Sequence, residues 1–300
     1  MFTPNQLPIA GEVRCLATDH EEADTRLILH AAHAGGPVII ESSDTDVAVM
    51  AIFHCRKVKF QWAILTGTRE KRRLLDVTKM AGKLGDNVVD ALIGVHAFSG
   101  CDAVSSFAGK GKKTHYKLIK TDAKCQQAMN SLGNLFNTDE VINLCEAYTC
   151  QLYGQEDGSD INRLRYKVFI AKSGASSSLP PCKESLVEHV KRANYVASIW
   201  KSATEASIDA PPPINHGWTL ENDEADYSIK WHSGVLAPDN VIQSVVCKCK
   251  KTGCMSNKCA CKIAKLPCTE LCGCLDCQNA EDTESDVDAN EDSDAESDVE

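Results

Sequence analysis

Nine cysteines crowd residues 247–277: Cys247, Cys249, Cys254, Cys259, Cys261, Cys268, Cys272, Cys274 and Cys277, spaced C-x-C-x4-C-x4-C-x-C-x6-C-x3-C-x-C-x2-C. An odd number cannot all pair as disulfides, and C-x-C pairs suit thiolate–metal bonds better than bridges. Three tetrahedral Zn²⁺ ions need about twelve Zn–S bonds, which six terminal and three bridging thiolates supply. Such a cluster carries a charge of about −3 if every thiol ionises, and Lys248, Lys250, Lys251, Lys258, Lys262 and Lys265 stand among the ligands to offset it. Few apolar residues lie in this stretch, so metal binding has to supply most of its folding free energy. A metallothionein-like sink and a set of oxidised loops are the plainer alternatives.

A second group of residues could also hold metal, through oxygen. Glu22 and Asp24 open a helical pattern, with Glu22 and Arg26 at i, i+4. Asp44 and Asp46 follow the short apolar strand pattern Val38-Ile39-Ile40, and Asp102 follows an apolar helix pattern from about Asp86 to Phe98. In an open parallel sheet, ligands bind beyond the carboxyl ends of the strands, and alternate strand residues aim side chains the same way. Clustered carboxylates repel one another unless cations neutralise them. Oxygen ligands favour Mg²⁺ or Mn²⁺, the ions of two-metal phosphodiester hydrolysis. Downstream, Gly109, Gly111, Lys112 and Lys113 combine free backbone N–H groups with positive charge, which suits a phosphate. The plainer readings are acids that cap helices and a solvated basic turn.

The cysteine run resembles the CXC domain of tesmin/TSO1-like proteins at every cysteine position. That resemblance implies a three-zinc, double-stranded-DNA-binding unit that inserts one side chain into the minor groove from the residue before the second C-x-C pair. Here that residue is Lys258, where the tesmin branch has tyrosine. A basic side chain can enter a narrow A/T-rich groove. A similar cluster precedes the catalytic part of SET-type methyltransferases, but here only about twenty acidic-tail residues follow it. Residues 15–120 resemble the internal half of flap-endonuclease-type PIN nucleases. Glu22 and Asp24 match the first acid pair, Asp44 and Asp46 the D-x-D, Asp102 the last acid, and Gly109 and Gly111 the glycines of a duplex-gripping helix-turn-helix. That family begins with a strand ending in a metal-binding aspartate. About twenty residues precede Glu21, without such a strand, so a truncated or degenerate nuclease site is expected. The strings EEADTRL, SSDTDV and HAFSGCD followed by a CXC module resemble transposon-derived invertebrate proteins.

These sites need an incomplete α/β, PIN-like (Rossmann-like) parallel-sheet domain over 1–120, a helical extension over 121–205, a linker over 206–244, the zinc module over 245–280 and a disordered acidic tail over 281–300. Leu186, Val187, Val190, Ala193, Ala197 and Trp200 recur at helical spacing and mark one apolar face. The net charge of −10 is a misleading average. Residues 281–300 hold eleven acids and no base, leaving +1 on the rest, and the cysteine stretch is locally +4. An acidic mean therefore does not exclude nucleic acid. Neither a secretory signal nor an apolar run of membrane-spanning length is present, so no membrane partner is expected. The other seven cysteines lack metal spacing, which points to a reducing compartment, nucleus or cytoplasm. Four histidines (His20, His30, His33, His96) are expected only to pack or face solvent, and Ser285, Ser293 and Ser297 offer phosphorylation sites to an acid-directed kinase.

Overall fold

The computed structural model describes residues 13, 16–155, 159–171, 178–221, 226–232, 247–249, 253–255, 258–263, 268, 272–274 and 277–279. They fall into two compact units, one within 1–167 and 178–234 and the other within 168–177 and 235–300. The first unit begins with α1 (Ala23–His33), β1 (Val38–Glu41), α2 (Thr45–His54), β2 (Trp62–Thr66) and β3 (Arg73–Asp76). It continues with α3 (Val77–Leu84), α4 (Asp86–Ser99), α5 (Lys112–Thr121) and α6 (Ala123–Ser131). Then come α7 (Thr138–Leu152), α8 (Ile161–Ala171), α9 (Lys183–Lys201), β4 (Trp218–Glu221) and β5 (Asp226–Ile229). The expected strand at Val38 and the helices from Ala23 and Asp86 are all present.

The sheet is mixed, which corrects the expected parallel one. β1 and β2 run parallel, with Val38 opposite Trp62 and Glu41 opposite Leu65. β3 runs antiparallel to β2, with Thr66 opposite Arg73. The reason is the six-residue link between β2 and β3, since a parallel return needs a crossover of a dozen residues or more. One sheet face, through Ile40, Trp62 and Ile64, is buried, while Ile39 and Leu74 on the other are exposed. β4 and β5 form a separate antiparallel hairpin within the stretch read as linker.

The helices beyond residue 120 share their core with the α/β region. α4, apolar on nearly every face, packs against α2, α5, α6 and α9. α9 buries the Leu186, Val190, Ala193, Ala197 and Trp200 face, and also Glu188, His189, Arg192 and Asn194, so neighbours enclose it. Most of its buried polar groups have partners: His189 Nε2 meets Phe98 O at 2.9 Å, Arg192 donates to Gly217 O, and Asn194 accepts from the Gly133 N–H. Glu188 Oε1 accepts from Lys191, although Glu188 Oε2 has no hydrogen-bond partner among the described residues.

Three buried histidines make this unit acid-sensitive. His54, His115 and His189 each have a pKa lowered to about 4, chiefly because burial disfavours the imidazolium. An unfolded imidazole titrates near 6.5, so between the two values the unfolded chain binds more protons. This stabilisation is complete above about pH 6.5 and falls away as pH drops toward 4. Urea unfolding at pH 5 is expected to show at least about 3 kcal/mol less stability than at pH 7. Equal midpoints would contradict the burial of these rings.

Candidate functional site

The second unit has a core of sulfur. Cys247, Cys254, Cys259, Cys261 and Cys268 are its buried residues, with Cys249, Cys272, Cys274 and Cys277 packed around them. The apolar side chains Met255 and Ile263 point outward, 64 % and 68 % exposed. Backbone bonds stitch distant parts of the stretch together: Gly273 N donates to Cys247 O, Gln278 N to Gly253 O and Cys268 N to Asn279 O. Gly253 and Cys254 both take positive φ, 51° and 63°, which turns the chain back toward the cluster. A single turn of helix, α10 (Ala260–Ile263), follows Cys259.

The sulfur geometry fits zinc. A tetrahedron of ~2.3 Å Zn–S bonds places its sulfurs roughly 3.75 Å apart. The separations are 3.5 Å for Cys247–Cys254, 3.6 Å for Cys261–Cys272, 3.7 Å for Cys254–Cys268, 3.8 Å for Cys247–Cys268 and 3.9 Å for Cys259–Cys268. Four overlapping groups of four Sγ atoms lie within 4.8 Å, and together they include all nine cysteines. Cys247 and Cys268 each belong to three of these groups; Cys249, Cys261, Cys272 and Cys277 belong to one. Backbone and amide N–H groups point at sulfur, from Cys247 to Cys272, from Asn279 to Cys277 and from the Asn279 side chain to Cys268. Such donors favour thiolate over thiol. Without a cation, burial is outweighed by backbone N–H donors and neighbouring thiols at Cys259, lowered to about 6, and at Cys277, which is lowered as well. Several of the other crowded sulfurs resist ionisation: burial and then neighbouring thiols push Cys261 up to about 12 and Cys274 up to about 11. Divalent metal removes that obstacle by displacing the protons.

Of the lysines expected to meet DNA, Lys248, Lys258 and Lys262 are exposed. Lys258 lies two residues before the first residue of α10, and Lys262 donates from within that helix to Met255 O at 3.3 Å. Lys250, Lys251, Lys265 and the tail 281–300 lie outside the described residues.

In the first unit the charges of the five expected acids reach one another, but Asp44 and Asp46 do not sit at the strand end expected from the sequence. Asp44 and Asp46 were expected at alternate strand positions, but β1 ends at Glu41. Asp44 is the N-cap of α2, accepting from Asp46 N at 2.8 Å, and Asp46 lies in the first helical turn. Burial and then the charges of Asp24, Asp46 and Asp102 raise the Glu22 pKa, although the Trp200 side chain hydrogen-bonds to it. Burial and then Asp44, Asp46 and Asp102 raise that of Asp24. Asp46 behaves oppositely. Its Oδ1 lies 2.6 Å from His96 Nε2, and this bond, with the nearby Lys112 charge, outweighs burial and lowers its pKa. Lys112 Nζ in turn lies 3.1 Å from His96 Nε2 and 3.3 Å from its Nδ1. His96, expected only to pack or face solvent, is thus a buried partner of the acid cluster. Its place on α4, six residues before Asp102, gave no sign of this role in the sequence. Among the described residues, only cysteines bring three or more metal-ligating atoms within 4.8 Å of one another.

Gly109 takes positive φ, 64°, and Gly111 caps α5 at φ −78°, so Lys112 and Lys113 open that helix. Residues 100–111 link α4 to α5.

Residues 244–281 match the family described as Tesmin/TSO1-like CXC domain, cysteine-rich domain. Protein lin-54 of Caenorhabditis elegans is 57% identical over 35 residues, 12% of this chain and 8% of that protein. The lin-54 homolog of Drosophila melanogaster is 50% identical over 36 residues, 12% of this chain and 4% of that protein. Tesmin of Rattus norvegicus is 33% identical over 64 residues, 21% of this chain and 14% of that protein. The chain thus spans under a sixth of the length of each of these relatives. No solved structure matches it. The cysteine stretch at 244–281 is a Tesmin/TSO1-like CXC domain.

Proposed function

We propose that this protein binds double-stranded DNA through a three-zinc CXC module and acts in the nucleus. The observation that carries this reading is a cluster of nine thiols, spaced for zinc, with exposed lysines around it. Its chemistry divides simply: zinc fixes the fold, and the lysines contact phosphate. Cys247 and Cys268, each shared among three sulfur groups, are the best-placed bridging thiolates. The five-part division of the chain at residues 120, 205, 244 and 280 remains our proposal for its organisation. No described helix is long and apolar enough to cross a membrane.

Lys258 tests the groove contact. If it enters a minor groove, Lys258→Ala weakens binding to A/T-rich duplex about tenfold, and by less on G/C-rich duplex. Lys262→Ala, a phosphate contact, weakens both alike and lowers the salt slope by about 1. Equal losses for the two variants on both duplexes would reduce Lys258 to one more backbone contact.

A second reading, favoured by the convergence of Glu22, Asp24, Asp44, Asp46 and Asp102, is a degenerate PIN-like nuclease site. The mobile-element ancestry rests only on the sequence strings given above. His96 and Lys112 already neutralise Asp46, so an entering Mg²⁺ or Mn²⁺ must compete with them. Weak Mn²⁺ binding and slow or absent cutting of flapped DNA are therefore expected. Robust Mn²⁺-dependent cleavage, abolished by Asp44→Ala, would make the protein a working endonuclease instead.

A further inference from the structure

The turn between β2 and β3 carries Arg69, Lys71, Arg72 and Arg73 against the single acid Glu70, and residues 67–74 are all exposed. It is a built turn. Lys71 N donates to Thr68 O at 3.0 Å and Arg72 N to Arg69 O at 3.3 Å. Gly67, at φ +85°, sits where an added Cβ would come within 2.3 Å of Lys71 O. Arg69 holds φ 49°, a conformation that costs a non-glycine residue free energy and is kept where the surroundings impose it.

The charges on this turn are mostly unspent. Arg72 pairs with Glu41 on β1. Among the described residues, no ion pair involves Arg69, Lys71 or Arg73. Its position is informative as well. Glu41 lies opposite Leu65, and Ser42 N donates to Leu65 O, so the turn stands at the carboxyl end of β1 and β2. Asp44 is three residues beyond Glu41, at most about 11 Å along the chain. The basic turn and the acid cluster therefore occupy the same end of the sheet.

We propose that the β2–β3 turn is a second nucleic-acid contact, in which Arg69, Lys71 and Arg73 hold neighbouring phosphates of a nucleic-acid backbone. The partner is a phosphodiester chain because three cations within five residues, without ion-pair partners among the described residues, suit the closely spaced charges of a polyanion better than a single acidic group. The contact requires neither zinc nor divalent-metal chemistry. It adds to the CXC contact and does not depend on it.

The test is anisotropy of labelled duplex DNA with the full chain and with Arg69→Ala/Lys71→Ala/Arg73→Ala, over a salt series and with or without a zinc chelator. With zinc bound, the triple variant is expected to bind at least tenfold more weakly at 0.1 M salt. Its log–log salt slope should fall by about 2 to 3, near 0.9 per lost phosphate contact. Unchanged zinc content and circular dichroism would show that the fold is intact. If the CXC reading fails and this one holds, chelated wild-type protein still binds DNA and the chelated triple variant does not. A triple variant whose affinity and salt slope stay within twofold of wild type overturns the proposal, as does a wild-type chain that binds no DNA.

Discussion

Cys268→Ser and Cys247→Ser are each expected to cost the protein about two of its zinc ions, whereas Cys249→Ser and Cys277→Ser cost at most about one. The asymmetry follows from sharing. Cys247 and Cys268 each lie in three of the four sulfur groups, while Cys249 and Cys277 each lie in one. A bridging thiolate belongs to two metal ions, and its loss opens both tetrahedra. Because the buried core of this unit is sulfur alone among the described residues, its fold should go with the metal. Elemental analysis of reduced, purified variants checks the stoichiometry, and equal zinc loss from all four would rule out bridging by Cys247 and Cys268. Chelation should remove the unit's contribution to circular dichroism and leave that of the first unit in place.

Gly94→Ala should destabilise the first unit by about 3 kcal/mol or more. Gly94 lies within α4, where α6 crosses so closely that an added Cβ would fall 1.9 Å from Met129 O and 2.8 Å from its carbonyl carbon. A backbone carbonyl cannot rotate away as a side chain can, so the helices must separate. Gly82→Ala in α3 is the matched opposite. A Cβ added there would meet nothing within 4 Å, and the φ of Gly82 is ordinary, so exchange should stabilise the helix by up to about 1 kcal/mol. Urea titration followed by tryptophan fluorescence reads both. A Gly94→Ala protein as stable as wild type would show that α4 and α6 do not pack as described.

The two sites differ in how legible they were. The cysteine cluster could be read directly because its spacing is the chemistry: C-x-C pairs and an odd count leave little but metal. The acids were legible as residues and not as geometry. Their order along the chain gave convergence, but whether Asp44 sat on a strand or capped a helix depended on where β1 stopped, and Ser42 and Ser43 suit either. The antiparallel β3 escaped notice because its strand pattern, Arg73-Leu74-Leu75-Asp76, is short and half charged. His96 gave no signal, since its partner Asp46 is fifty residues away. Gly94 has no signal of its own in an apolar helix, and only the crossing of α6 gives it a purpose.

The central claim is that zinc and DNA binding belong to one module, and the most direct measurement is duplex-DNA affinity of the full chain before and after zinc removal, then after zinc is restored. The account predicts nanomolar-to-micromolar binding with a steep salt dependence in the zinc-loaded state. Chelation should weaken it at least a hundredfold at about 0.15 M salt, where the basic turn alone holds DNA poorly, and zinc alone should recover it. Equal affinity with and without zinc would contradict the account.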